Sequence, residues 1–101
     1  MNFNEKCYEI LNQVPKGKVV TYKSIAEALG TKAYRAVGNA MKSNKFPEKI
    51  PCFKVVKSDG SVGGYNGSNS KNKSRKIEKL KSDGIEVKNN KIDLDKFGYK
   101  L

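Results

Sequence analysis

The sequence predicts a small domain that is mainly α-helical and has only minor β elements. Apolar residues recur at helical spacing near the start of the chain and in its middle, whereas the β-prone runs are short. With 101 residues, the chain fits one compact domain, 1–101, and leaves no room for a second core of ordinary size. Hydrophobic residues make up 37% of the chain, which is low but sufficient for a modest core.

The first predicted helix has one apolar stripe. Its members, spaced at i, i+4, i+7, i+8 and i+11, are Phe3, Cys7, Ile10, Leu11 and Val14. Cys7 lies within this stripe, where a small buried thiol is expected to be inert. The sequence Pro15-Lys16-Gly17-Lys18 then predicts a turn that ends the helix.

The next two helices form a candidate helix-turn-helix. Thr21 is a good N-cap for a helix from Tyr22 to Leu29, which Gly30 is expected to end. Thr31 is expected to cap a third helix, roughly from Lys32 to Ser43. Helix pairs with a glycine turn also occur in proteins that never bind DNA, so this pattern alone leaves the function open.

The middle of the chain contains the predicted β elements. The run from Phe53 to Val56 is β-prone and is followed by a turn at Ser58-Asp59-Gly60. The earlier run Val19-Val20-Thr21 is too short to predict a strand by itself. Gly63 to Ser68 is expected to form a loop.

The last third of the chain begins with a basic stretch from Lys71 to Lys76. It leads into a predicted helix with Ile77 and Leu80 facing inward, closed by Gly84. The segment from Ile85 to Leu94 is interrupted by Asn89-Asn90, which predicts a small terminal hairpin.

The charge of the chain indicates a polyanionic partner. Lys and Arg total 21 against 10 acidic residues, a formal net charge of +11. The alternative is an excess of lysine that merely keeps the protein soluble. No stretch approaches the ~20 apolar residues of a membrane-spanning helix, and the N-terminus lacks a signal pattern. We therefore expect no membrane contact and a cytoplasmic protein, associated with the nucleoid if the source is prokaryotic.

The chain contains no histidine, which excludes a Cys-His pair, a Ser-His-Asp triad and a histidine-ligated metal. Cys7 and Cys52 are its two cysteines, and neither has the neighbours that a zinc site needs. Any chemistry must therefore rest on Cys, Lys, Tyr or carboxylate groups, and we expect no metal or organic cofactor.

Several separated motifs occur in one order along the chain. They are Tyr22, Arg35-Ala36-Val37-Gly38, Asn44, Pro51-Cys52, Val55-Val56 and Gly63-Gly64-Tyr65. From about Phe3 to Val87, this order resembles the C-terminal domain of the alkylguanine-DNA alkyltransferases, also called methylated-DNA-protein-cysteine methyltransferases. The resemblance implies a winged helix-turn-helix-like DNA-binding domain of the alkyltransferase C-terminal type, which flips a damaged nucleotide into a pocket.

The resemblance also implies which residues contact duplex DNA. They are Tyr22, Arg35, Ala36, Gly38 and Lys42. Arg35 looks like the finger that fills the space left by the flipped base, and Tyr22 like the tyrosine that presses on the DNA backbone. Small residues keep the recognition helix slim. The plainer alternatives are a surface arginine, an aromatic residue at a helix start, and tight helix packing.

Cys52 resembles the family's alkyl-accepting nucleophile, and the residues of the lesion pocket follow from the same resemblance. They are Pro51, Phe53, Tyr65, Asn66 and Gly67. Tyr65 looks like the tyrosine whose hydroxyl contacts the flipped guanine, whereas Asn66 departs from the serine often found there. Asn44 resembles the asparagine that ties turns together beneath the site.

One part of the family's site is missing from this sequence. The family activates the thiol through a water held by a histidine directly after the cysteine, where this chain has Phe53. Because a free thiol has a pKa near ~8.5, we expect slower transfer at neutral pH. Asp83 looks like the downstream acid of the family, or alternatively is a surface residue in the last helical turn. Lys49 and Lys54 flank the thiol and are candidates to stabilise its anion.

Two functions follow from the resemblance. The first is a methylated-DNA-protein-cysteine S-methyltransferase that acts once, on double-stranded DNA with guanine alkylated at oxygen 6, and retains the alkyl group on Cys52. The alternative is a non-catalytic alkyltransferase-like protein; this group of short single domains usually replaces the cysteine with Trp and recruits excision-repair proteins. A generic helix-turn-helix regulator without a preference for damage is a third reading. We expect a monomer in each case.

Overall fold

The computed structural model describes residues 2–46, 49–62 and 70–101, without the side chains of 70–73. Its elements are α1 (Phe3–Leu11), β1 (Val20–Thr21), α2 (Tyr22–Ala28), α3 (Tyr34–Lys42), a 3-10 helix (Cys52–Lys54), β2 (Val55–Val56), α4 (Ser70–Ser82) and α5 (Leu94–Phe97). The predicted class, mainly α with small β elements, is confirmed. None of the helices in these three ranges is both long and apolar enough to cross a membrane.

The starts of α2 and α3 test two capping predictions. Thr21 caps α2 as predicted, because its hydroxyl accepts a hydrogen bond from the Ser24 amide at 3.0 Å. Thr31 does not cap α3: its hydroxyl accepts from the Ala33 amide at 3.1 Å and closes a short turn of its own. The third helix therefore begins at Tyr34, two residues later than predicted.

A small parallel sheet joins distant parts of the chain. Val20 lies opposite Val55 and Thr21 opposite Val56. On the other side of β1, the Tyr99 amide donates to the Val19 carbonyl at 2.7 Å. The predicted strand from Phe53 was too long, because residues 52–54 form a 3-10 turn. This sheet places the segment that follows Cys52 against the start of α2.

The terminal hairpin was predicted correctly in position and turn. Lys88 and Lys91 form an antiparallel bridge, and the intervening Asn89 and Asn90 have φ angles of 52° and 61°. Two consecutive positive φ angles are typical of a tight hairpin turn, and asparagine tolerates them better than most residues.

The buried apolar residues form two clusters. The first lies among α1, α2, α3 and the 3-10 helix, and comprises Cys7, Leu11, Val14, Val20, Ile25, Ala26, Val37, Ala40, Met41, Cys52 and Val55. The second comprises Val19, Val56, Val62, Leu80, Ile85 and Ile92. Phe53 packs against both, so the residue after Cys52 links the two halves of the core.

The basic stretch predicted ahead of the last helix is part of that helix. α4 starts at Ser70, and Lys76 within it is only 1% exposed. Leu80 is fully buried as predicted. Gly84 follows the helix with a φ of 86°, a conformation that favours glycine at a helix end.

Candidate active site around Cys52

Cys52 opens the 3-10 helix and is 3% exposed. Its amide donates to the Ile50 carbonyl at 2.8 Å. The side-chain amide of Asn44 donates to the same carbonyl at 2.9 Å, while its oxygen accepts from the Phe46 amide at 2.9 Å. Asn44 is itself buried. It therefore fastens the turn that leads into Cys52, which is the geometry that its predicted bracing role requires.

The ammonium group of Lys54 contacts Asp83 and the turn after α1 rather than residues next to Cys52 in sequence. Its Nζ lies 3.2 Å from Asp83 Oδ2 and donates to the Pro15 carbonyl at 2.9 Å. The Gly17 amide also donates to Asp83 Oδ2, at 2.9 Å. The charge of Lys54 is thus engaged by Asp83 and the turn after α1, so we withdraw Lys54 as the group that stabilises the Cys52 anion.

Asp83 is largely buried, and its carboxylate binds Lys54 rather than the residue directly after Cys52. Its side chain is 16% exposed and bridges Lys54 and the Gly17 amide. Through Lys54 it fixes the end of the 3-10 helix that Cys52 begins. Lys54 and Gly17 are both far from Asp83 in sequence, so the local sequence does not reveal these contacts.

Phe53, which the family resemblance predicts to replace a histidine, is half-buried and packs against both core clusters. Lys79 Nζ lies 6.0 Å from the centre of this ring. Pro51, also half-buried, precedes the 3-10 helix. The other predicted pocket residues, Tyr65, Asn66 and Gly67, lie outside the described residues, so the pocket assignment stays a prediction.

Lys76 is the site residue that the sequence reasoning missed. Its Nζ donates to the Val55 carbonyl at 2.6 Å and lies 5.8 Å from the centre of the Tyr22 ring. Burial lowers the pKa of Lys76 to about 7, the negative charge of Cys52 opposes that change, and Lys57 adds to it. One signal was available: Lys76 precedes Leu80 by four residues and therefore shares its inward face.

Tyr22 begins α2, and its ring is partly buried beneath Lys76. Burial raises the pKa of its hydroxyl, and the negative charge of Cys52 raises it further. A surface depression of about 360 Å³ joins the starts of α2 and α3 to the turn after β2. It is lined by Tyr22, Lys23, Tyr34, Lys57, Ser58 and Asp59. Tyr22 therefore faces both this depression and the surroundings of Cys52.

The outer face of α3 is polar and basic. Arg35, Asn39 and Lys42 are exposed and follow one another at i, i+4 and i+7, which places them on one side of the helix. Ala36 and Gly38 are half-buried, and a Cβ atom added to Gly38 would meet nothing within 4 Å. Packing against the described part of the chain therefore does not require glycine at this position.

A further prediction concerns Cys7. Cys7 is fully buried, as expected, and burial raises the pKa of its thiol. Within the described part of the chain, no three His, Cys, Asp or Glu side chains are grouped as metal ligands.

Comparison with known sequences connects this geometry to a family. The family described as "6-O-methylguanine DNA methyltransferase, DNA binding domain" matches residues 2–85. A bifunctional methyltransferase/endonuclease of Picrophilus torridus is 46% identical over 93 residues, which cover 91% of this chain and 30% of that protein. The methylated-DNA--protein-cysteine methyltransferase of Rattus norvegicus is 46% identical over 61 residues, covering 59% and 29%.

A solved structure resembles the whole chain. S. pombe Atl1, in complex with damaged DNA containing O6-carboxymethylguanine, matches with a TM-score of 0.86 and 28% sequence identity, covering 98% of this chain and 95% of Atl1. In contrast, the chain spans only about a third of the length of the two curated relatives. Because the family match extends over residues 2–85, the chain belongs to the family of 6-O-methylguanine DNA methyltransferase DNA-binding domains.

Proposed function

We propose that this protein binds duplex DNA, flips out a guanine alkylated at oxygen 6 and transfers the alkyl group to Sγ of Cys52. The observation that carries this proposal is the retained cysteine at the head of the braced 3-10 helix. A thiolate is a strong nucleophile, and a thioether, once formed, does not release the alkyl group. Each molecule therefore acts once.

The outer face of α3 supports the DNA-binding part of the proposal. Arg35 and Lys42 place two positive charges on this face, and the chain as a whole has a net charge of +11. Arg35 occupies the exposed first turn, where a long charged side chain suits insertion into the duplex. Gly38 lets the helix backbone approach a narrow groove.

The burial of the thiol supports base flipping. Cys52 is 3% exposed, so little of the residue is open to a base that stays stacked in the duplex. A guanine turned out of the stack can present its oxygen-6 substituent to a recessed group. The ring of Tyr22, which lines the surface depression and packs against the buried cluster that contains Cys52, is a candidate contact for such a base.

The intact mass of the protein tests this function. We expect incubation with a duplex oligonucleotide carrying O6-methylguanine to add the mass of one methylene group, located on the peptide that contains Cys52. Cys52→Ser and an undamaged duplex of the same sequence serve as controls, and both should leave the mass unchanged. Tight binding of the lesion with an unchanged protein mass over hours contradicts transfer.

A second candidate is a protein that binds the same lesion without chemistry and presents it to excision-repair proteins. Phe53 supports it, because the family resemblance predicts the activating histidine at this position and the chain has phenylalanine there; the likeness to Atl1 on damaged DNA over 98% of the chain also agrees. In this function Phe53 is an apolar wall for the flipped base. It predicts that Cys52→Ala binds the lesion as tightly as the unchanged protein, which itself gains no mass.

A further inference from the structure

Lys76 is a lysine in an environment that disfavours its charge. It lies on the inward face of α4 and is 1% exposed. An ammonium group removed from water loses several kcal/mol of solvation unless nearby groups compensate it. A buried lysine therefore either has compensating partners or exchanges its proton readily, and both properties are common at functional sites.

The contacts of Lys76 place its amine at the segment of the reactive cysteine. Nζ donates to the carbonyl of Val55, the residue that follows the 3-10 helix begun by Cys52. The ring of Tyr22 lies on another side, 5.8 Å from Nζ. The ionisable groups that act on Lys76 from the elements around it are Cys52 and Lys57, with Tyr22 alongside.

The other cations of this region are directed elsewhere. Lys54 binds Asp83 and the Pro15 carbonyl. Lys49 is exposed, and Lys79, one turn beyond Lys76, lies over the Phe53 ring. Within the described residues, Lys76 is the buried cation whose charge interacts with that of Cys52.

We propose that Lys76 takes the proton of the Cys52 thiol and then, as an ammonium group, stabilises the thiolate, so that it performs in this chain the task the family gives to histidine. This inference rests on the proposed function of Cys52 as the alkyl acceptor. It assigns a specific role to a residue that is only 1% exposed.

The chemical step balances with these groups and solvent. The proton of the thiol moves to the neutral Nζ of Lys76, and the thiolate attacks the alkyl carbon. The sulfur–carbon bond forms while the carbon–oxygen bond breaks, and the electron pair of the broken bond stays on oxygen 6. Guanine then takes up one proton at a ring nitrogen from solvent, and the ammonium group of Lys76 releases one to solvent, so the proton that the thiol lost is accounted for.

The pKa of Lys76 suits a group that accepts a proton from a thiol. An ordinary lysine, with a pKa near ~10.4, is protonated at neutral pH and has no room for another proton. Burial brings the pKa of Lys76 to about 7, so a substantial neutral fraction exists under physiological conditions. Since the two groups interact, their protons leave in two steps that belong to the pair.

Titration of the free protein tests the pair without DNA. The two cysteines, labelled with 13C at Cβ, give separate signals, and Cys7 serves as the internal reference. We expect Lys76→Met to raise the titration midpoint of Cys52 by roughly one pH unit or more, whereas Lys81→Met, at an exposed position of the same helix, leaves it unchanged. An unchanged Cys52 midpoint in Lys76→Met overturns the proposal.

The reciprocal measurement does not depend on the folding of Lys76→Met. Because coupling between two sites is mutual, Cys52→Ser should lower the midpoint of the Lys76 amine, followed by its 15Nζ signal. Equal midpoints in Cys52→Ser and the unchanged protein also overturn the pair.

Transfer rates separate this inference from the proposed function. At neutral pH we expect Lys76→Met to transfer the methyl group about tenfold more slowly, with the loss recovered at alkaline pH, where the thiol ionises unaided. A loss of equal size at every pH indicates a merely structural role and contradicts the inference. If the titration midpoints of Cys52 and Lys76 shift as expected but the protein gains no mass from O6-methylguanine DNA, the proposed function fails and the interaction between Lys76 and Cys52 remains supported.

Discussion

At the scale of single residues, two buried lysines near Cys52 have different roles. Lys54 is held by Asp83 and by carbonyl groups of the turn after α1, so its charge fixes the backbone. Lys76 is held by the Val55 carbonyl beside Tyr22, where its charge can respond to the thiol. The same residue type therefore supports the structure in one case and the proposed chemistry in the other.

Lys76 makes stability depend on pH in a direction that can be calculated. Its pKa is lowered from 10.5 to about 7 in the folded chain, so the unfolded chain binds more protons between these two values. The free energy of unfolding therefore rises with pH across that window, by an amount on the order of 5 kcal/mol.

The variant Lys76→Met removes this dependence. The comparison is made in a Cys52→Ser background, which eliminates coupling to the thiol. The free energy of unfolding of Lys76→Met minus that of its parent should be greatest below pH 7 and should decline toward pH 10.5. Urea denaturation at several pH values measures it. A difference that stays constant over this range contradicts the buried titration.

At the scale of secondary structure, local chemistry predicted the start of α2 but not that of α3. Thr21 caps α2 where expected. Thr31 closes a turn of its own, and α3 begins beyond that turn. The parallel pairing of Val20 with Val55 was not accessible, because the partners are far apart in sequence and each strand has only two residues.

The composition of a helix does not show which of its residues face the core, because that depends on their spacing along the helix. A run of lysines suggests an exposed basic stretch, yet α4 turns Lys76 inward together with Leu80. The position of Asn44 and Cys52 followed from the family motifs, whereas the partner of Asp83 depended on tertiary contacts. The motifs thus located the candidate site, but the identity of its buried cation required the structure.

Substitutions at Gly38 can separate the stability of α3 from its proposed binding to DNA. Glycine inside a helix is unfavourable, and a Cβ atom at this position meets nothing within 4 Å. We therefore expect Gly38→Ala to stabilise the protein by about 0.5–1 kcal/mol. The longer side chain of Gly38→Leu should weaken duplex binding about tenfold or more, because it blocks close approach to the groove. Urea denaturation and fluorescence anisotropy measure the two effects.

The control for this substitution is Gln13→Leu, which adds the same side chain at an exposed position outside α3. It should leave affinity for duplex DNA unchanged. Full affinity in Gly38→Leu would show that the helix does not approach DNA through this face.

At the scale of the whole molecule, the core fixes the distance between the proposed recognition helix and the thiol. Val37, Ala40 and Met41 of α3 belong to the same buried cluster as Cys52. The hydroxyl of Tyr8 in α1 also donates to the Ala40 carbonyl at 2.5 Å. The proposed insertion of α3 into a groove would therefore determine where a flipped base meets the sulfur.

The net charge of +11 acts on any duplex, so it must be separated from recognition of damage. Arg35→Ala and Lys42→Ala each remove one positive charge from the same exposed face of α3 and should reduce the slope of log K against log salt by about 0.9 if each contacts one phosphate. Arg35 is also proposed to fill the space left by the flipped base. Arg35→Ala should therefore slow methyl transfer about tenfold or more at saturating DNA, whereas Lys42→Ala should not.

Two measurements separate charge from base replacement. Binding titrations at several salt concentrations report the loss of charge, and single-turnover rates at saturating DNA report the loss of transfer. Equal loss of transfer in both variants would mean that Arg35 contributes charge alone.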